Sequence, residues 1–227
     1  MIDMVVIKEY TITTLKQQGN YTKTLHNEDT TMPNWCNNKA TLKHKDSSML
    51  VRAQEAFDNG KLLNEFIPVP EELRNTISGF YGEGTEQQIE LQAQQKANKE
   101  KYGYSDWYEF ANAKWGVKWD IGGTDSESTL EVDTLTLDFD SAWCPPVEGY
   151  NALVALGFEI EAYFYEGGMS FCGYYEGNEE YNDVDEYGIE GDSEWVKKHI
   201  PQAIDEAFAI SENMAYYEAE ELGVEEG

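Results

Sequence analysis

From Thr134 to Asp140 the chain alternates without a break: Leu135, Leu137 and Phe139 fall on one side, Thr134, Thr136, Asp138 and Asp140 on the other. A period of two with β-branched and aromatic side chains specifies a strand buried on one face, as in an antiparallel sheet covered on one side. Upstream, Leu130 and Val132 alternate in the opposite phase, so Asp133-Thr134 must hold a bulge or a short turn. Downstream, Trp143-Cys144-Pro145-Pro146 ends the strand. A helix is expected from about Pro146 to Leu156, since proline suits a first helical turn and Gly157 a C-cap. Trp115-Gly116-Val117-Lys118-Trp119-Asp120 lies on the other flank of this region. Large rings beside glycine and proline commonly fix chain direction by packing. Trp115, Trp119 and Trp143 are therefore expected in the structural centre rather than on an exposed platform.

Around this strand the same patterns recur. Ala40, Leu42 and His44 alternate with Lys39, Thr41, Lys43 and Lys45, giving a strand with a basic outer edge and His44 as a packed side chain. Ser47 or Ser48 can cap a helix that carries Leu50, Ala53, Ala56 and Phe57 on one side and stops at Asn59-Gly60. Phe158, Ile160, Ala162 and Phe164 point inward on a strand whose Glu159, Glu161, Tyr163 and Tyr165 point outward; Gly167-Gly168 then turns the chain into a return strand, Met169 to Tyr175. Strand, helix, strands, helix and hairpin in that order specify an α+β fold, an antiparallel sheet covered by helices.

Between these elements, residues 74–114 read as a helical insertion. Thr85-Glu86-Gln87-Gln88 fits a capping box, and the polar helix after it has only a thin stripe of Ile89, Ala93 and Ala97. Ser105 is placed to cap a short helix with Trp107, Phe110 and Ala111 turned inward. Gly82-Glu83-Gly84 lacks the preceding strand and the following GKS or GKT of a phosphate loop. Residues 1–31 read as an N-terminal arm or extra edge strand, and Met32 offers a second start. Residues 177–227 read as an acidic loop followed by helices around Trp195 and Ile204 to Tyr217, docked on the same domain.

The order of five short runs carries a resemblance. Met32-Pro33-Asn34-Trp35-Cys36-Asn37-Asn38, Phe66 to Leu73, Trp115 to Asp120, Trp143-Cys144-Pro145-Pro146 and Tyr165-Glu166-Gly167-Gly168 together resemble the Api92-like, or YubB-like, proteins of phages and conjugative plasmids. The resemblance covers roughly residues 32–176, with Trp35, Trp115, Trp119, Trp143 and Pro145 as structural motif positions; Cys144 stands where serine is expected. It implies a ferredoxin-like domain and a phage or plasmid accessory protein in a bacterial cytoplasm. It implies no reaction.

Charge narrows the function classes further. The net charge is −28, and residues 120–227 carry 28 acidic side chains against Lys197 and Lys198. From Asp120 to Val196 there is no Lys, Arg or His. Such a field repels nucleic acid and anionic lipid and attracts basic surfaces. No apolar run reaches the length of a membrane span. Cys36, Cys144 and Cys172 form no metal-ligand pattern, and reduced thiols are the simplest reading. His26, His44 and His199 lie in no local motif with Ser or Cys, so nucleophilic catalysis has no sequence support.

These observations favour a non-enzymatic protein that binds a basic host protein, itself nucleic-acid-binding or defence-related, as a DNA mimic or counter-defence inhibitor. Asp138 with Asp140, and Glu159 with Glu161, would present paired carboxylates at roughly 7 Å spacing on one face. On neighbouring strands these pairs would form a grid of negative charge. Two other classes stand beside this one. Asp183, Asp185, Gly188 and Glu194 fall at positions 1, 3, 6 and 12 of a calcium-loop register, which would make calcium a structural ligand through Asp183, Asp185 and Glu194. Tyr187 and Glu190 depart from that pattern, and no entering helix is evident. An unrecognised carboxylate hydrolase is the third class; 44 acidic residues make convergent pairs uninformative.

Overall fold

A computed structural model describes residues 34–221. The N-terminal arm or edge strand expected over residues 1–31, and Met32 as a second start, lie outside the described residues. The central strand is β1 (Trp35–His44), whose Cys36, Asn38, Ala40 and Leu42 are buried while Trp35, Asn37, Lys39 and Lys43 are exposed. It pairs antiparallel on one side with β3 (Thr134–Ala142) and on the other with β4 (Phe158–Glu166). β2 (Glu127–Leu130) forms a hairpin with β3, closed by Glu131 N–H donating to the Thr134 carbonyl at 2.9 Å. The phase change before Thr134 is thus a turn, with Val132 95% exposed at its tip. β5 (Phe171–Gly177) and β6 (Asn182–Gly188) complete a six-stranded antiparallel sheet in the order β2-β3-β1-β4-β5-β6.

Helix α1 (Ser47–Asp58) connects β1 to the β2–β3 hairpin, and α6 (Val147–Val154) connects β3 to β4. That βαββαβ order with β1 inside the sheet is a ferredoxin-like arrangement, extended at one edge by β5 and β6. α1 buries Leu50, Ala53, Ala56 and Phe57, the stripe legible in sequence, although Asp46 rather than a serine caps it by accepting from Ser48 N–H. Phe57 meets Phe139 edge-on at 5.7 Å, and burial of a ring this size contributes about 1.5–3 kcal/mol. His44 is packed as expected: Asp46 N–H donates to its Nδ1 at 2.9 Å, its Nε2 faces the Leu156 carbonyl at 3.2 Å, and its ring lies 4.8 Å from Phe158.

The insertion holds α2 (Leu62–Phe66), α3 (Glu71–Arg74), α4 (Glu86–Tyr102) and α5 (Trp107–Lys114). Thr85 caps α4 by accepting from Gln88 N–H, but the Gln88 side chain turns to Tyr81 N–H at 2.8 Å and leaves the capping box half made. α4 buries Gln88, Leu91 and Asn98, while Ile89 is 60% exposed, so the expected apolar stripe is not its contact face. Asn98 Nδ2 instead donates to Thr76 Oγ1 and the Ser105 carbonyl, which fastens α4 through polar contacts. Asp106, not Ser105, caps α5, because its carboxylate reaches both Tyr108 and Glu109 N–H at 3.0 Å.

The segment read as an acidic loop contains β6, a strand with acidic side chains at an exposed sheet edge. Charge on an edge opposes pairing with other strands. Beyond it, α7 (Ser193–His199), α8 (Gln202–Phe208) and α9 (Ile210–Glu221) follow. They bring Val196, Ile200, Ile204 and Ile210 onto Cys172, Tyr163, Tyr165, Tyr174 and Tyr187, a second core on the opposite face of β4, β5 and β6. The same face of β1 and β3 stays open, with Asn37, Lys39, Lys43, Thr136, Asp138 and Asp140 exposed. No described helix is long and apolar enough to cross a membrane.

Candidate functional site

At the end of the sheet where β1 begins and β3 finishes, three tryptophans lie side by side. Trp35 opens β1 opposite Ala142, and the next residue, Trp143, donates its N–H to the Asn34 carbonyl at 2.9 Å. Trp143 has φ 67°, a left-handed conformation that costs a residue with a Cβ about 1–2 kcal/mol. Strain of this kind in a bulky residue persists only where neighbours over-determine it. Here the β1–β3 ladder precedes the residue, and buried Pro145 and Pro146 follow it closely.

Trp119 reaches the same place on the loop from Trp115 to Ile121, which is fastened at alternate points. Trp115 is buried, donating Nε1–H to the Ile67 carbonyl at 3.1 Å and accepting from Gly149 N–H at 3.0 Å. Gly116 takes φ 80° where a Cβ would come within 3.2 Å of Glu148 N, and its carbonyl meets Cys144 Sγ at 3.3 Å. Val117 and Ile121 are buried. The Asp120 carboxylate accepts from Leu63, Asn64 and Ile121 N–H at 2.7–2.9 Å, two of these at the start of α2. Burial pushes the Asp120 carboxyl up, against the pull of those amides. Trp119 is the exposed residue of this loop, and Lys118 beside it is half-buried.

The Trp119 ring stands 6.1 Å from Trp35 and 6.2 Å from Trp143, stacked on the latter at 22°. Trp35, Trp119 and Trp143 are 44%, 40% and 42% exposed. This corrects the expectation that Trp119 and Trp143 belong to the structural centre; of the three named rings only Trp115 does. Glycine and proline do fix the chain direction here, but that direction points Trp119 and Trp143 at solvent. Lys118 Nζ lies 4.6 Å from the Trp119 centroid, 5.8 Å from Trp143 and 5.9 Å from Tyr108. Sequence reasoning missed Lys118 and Tyr108. The available signal was that Lys118 is the last cation before the cation-free run from Asp120 to Val196.

Behind the rings lies a buried polar layer. Asn38 Nδ2 donates to the Cys36 carbonyl at 2.7 Å and to Ser141 Oγ at 2.8 Å, and Ser141 Oγ–H donates to the Cys144 carbonyl at 2.7 Å. Glu166, 1% exposed, accepts from Gly168 and Met169 N–H and so shapes the β4–β5 turn. Burial, then Cys144 and Glu166, drives the Cys36 thiol far up; burial and Glu186 raise Cys144. These sulfurs stay protonated at neutral pH and offer no ready nucleophile. The arrangement is suited to holding flat or cationic groups against aromatic faces.

The acidic positions singled out in sequence are all exposed, but they do not merge. Asp138 and Asp140 sit on β3, Glu159 and Glu161 on β4, and β1 runs between them. Lys39 lies 3.4 Å from Asp138, Asn37 donates to Asp140 at 2.5 Å, and Lys43 is opposite Glu159. The grid that neighbouring strands would have made is therefore two acidic rows divided by a row carrying Lys39 and Lys43. Asp140 is the member nearest the tryptophans, two residue pairs along the ladder from Trp35.

The residues of the calcium-loop register are divided between a strand and a helix. Asp183 and Asp185 belong to β6, hydrogen-bonded in register to β5, so the backbone is extended where a calcium loop would wrap. Glu194 sits in α7 with its carboxylate 2.6 Å from Lys197 Nζ. Among the described residues no group of three or more His, Cys, Asp or Glu is placed to hold a metal ion. His199 stacks on Trp195 with ring centroids 4.4 Å apart, and its Nδ1 lies 2.9 Å from the Trp195 carbonyl.

No family model matches the chain, and no curated protein matches it. Among solved structures, it is similar to the crystal structure of a protein api92 from Yersinia pseudotuberculosis, of family DUF1281. That likeness has 13% identity and a TM-score of 0.42, covering 70% of this chain and 100% of that one.

Proposed function

We propose that this protein acts by binding a basic protein surface, with Trp35, Trp119 and Trp143 as the anchor and the surrounding carboxylates as the attraction. The observation that carries this reading is the row of three half-exposed tryptophans on a fastened frame. Tryptophan is strongly enriched among the few residues that dominate binding energy, and a rigid ring loses little entropy on docking. The net charge of −28 selects the partner: long-range attraction speeds encounter with cationic surfaces and disfavours nucleic acid. Asp138 and Asp140 continue the anchor along the open sheet face. The setting that fits the sequence resemblance is a phage or plasmid accessory protein acting in a bacterial cytoplasm, its target a nucleic-acid-binding or defence protein. Mimicry of a duplex is the narrower form of the proposal, because two acidic rows persist on the open face despite the lysines between them.

The test compares wild type, Trp119→Ala/Trp143→Ala, and the quadruple Asp138→Asn, Asp140→Asn, Glu159→Gln, Glu161→Gln as baits in bacterial lysate at low and high salt. Each retained protein is then purified and titrated. The wild type should hold a basic protein with affinity that falls as salt rises, since exposed charges are screened. The tryptophan pair should lose most of that affinity with its melting temperature within a few degrees of wild type. Displacement by duplex DNA would favour mimicry. Full retention by the tryptophan variant, or no basic protein held at any ionic strength, would sink the proposal. Tight binding of a single-stranded oligonucleotide to the tryptophans would assign the site to nucleic acid instead.

A further inference from the structure

Resting on the reading of the tryptophan cluster as a partner-binding surface, we infer that the site is a cation cage for a lysine side chain of the partner, and that Lys118 occupies it in cis. Three aromatic rings lie close to one ammonium. Lys118 Nζ is within 6 Å of the Trp119, Trp143 and Tyr108 centroids, the range in which a cation is attracted by a ring quadrupole. Trp119 and Trp143, stacked at 22°, present nearly parallel faces. No carboxylate of the described residues forms an ion pair with Lys118, in a chain holding 44 of them. The ammonium is therefore held by rings rather than by opposite charge.

The occupant follows from complementarity. The rings accept a cation, Asp140 and Asp138 lie along the adjoining strand, and the whole chain draws in basic surfaces. A lysine from such a surface reproduces the group already in place. Lys118 is then an internal competitor. Its departure is required before the partner's lysine enters, and the apparent affinity is lowered by the fraction of molecules in which the cage is filled.

Tetramethylammonium chloride is the probe, titrated at ionic strength matched with sodium chloride, and the indole N–H signals of Trp35, Trp119 and Trp143 are followed by NMR. Lys118→Gln and Lys118→Ala should bind it about fivefold more tightly than wild type, the gain expected from vacating an exposed cation–π site. Lys118→Arg should match wild type, because the guanidinium refills the cage. Adding Trp119→Ala to Lys118→Gln should abolish the gain. Equal binding by wild type and Lys118→Gln, or a gain that survives loss of Trp119, overturns the inference. No protein partner takes part, so a failed lysate capture leaves the cage standing. Likewise, a cage blind to tetramethylammonium leaves the interface to be judged on its own variants.

Discussion

The six tryptophans do unequal work. Trp115 has its ring in the core and its Nε1–H on the Ile67 carbonyl, so Trp115→Ala should cost about 3–5 kcal/mol in urea unfolding, as for truncation of a buried aromatic. Trp119→Ala removes a half-exposed ring and should stay within about 1 kcal/mol of wild type. Trp143→Gly is the sharper case. Glycine adopts φ 67° without steric penalty, so relief of about 1 kcal/mol should offset most of the stacking lost with Trp119. A fall of more than about 2 kcal/mol would place Trp143 among the core rings after all. The pattern of residues around these rings announced large side chains near chain reversals, and that much was legible. Their orientation was not, because it depends on Asp120 reaching α2 and Gly116 fitting against α6, contacts with residues far away in sequence.

At the scale of elements, strands with a strict period of two were readable wherever one face meets a core. β1, β3 and β4 bury alternate residues as their sequences specify. β6 was not readable, since its seven residues are exposed or half-buried and its acids resemble a loop. What admits β6 is Gly173. A Cβ there would come within 2.2 Å of Phe164 Cζ and 2.3 Å of the Asp185 carbonyl, so the ring of β4 fills the space beside β5. Gly173→Ala should therefore push Phe164 or β6 aside and destabilise by about 1–3 kcal/mol, the usual range for overpacking. Hydrogen exchange should show amides of β5 and β6 losing protection first. Unchanged exchange in Asn182–Gly188 would show that the ring, not the strand, gives way.

For the whole molecule the dominant unpaired quantity is charge. Of the six ion pairs among the described residues, Lys39–Asp138, Lys45–Glu179 and Lys197–Glu194 are those that reach the acids beyond Asp120. Self-repulsion then opposes compaction, and screening should relieve it. Raising sodium chloride from about 10 mM to about 0.5 M shortens the Debye length several-fold and should raise the melting temperature by roughly 2–8 °C. A lower melting temperature in salt would mean that the ion pairs outweigh the repulsion.

The place of β1 inside the sheet has a consequence for how the protein is made. Its two neighbours, Thr134–Ala142 and Phe158–Glu166, lie about a hundred residues further along the message. At ribosomal speeds of about 5–20 residues per second, β1 waits roughly 6–25 s for the second of them. During that interval α1 can form beside it, but Ala40 and Leu42 have no sheet to join, so translation rather than diffusion sets when this domain closes.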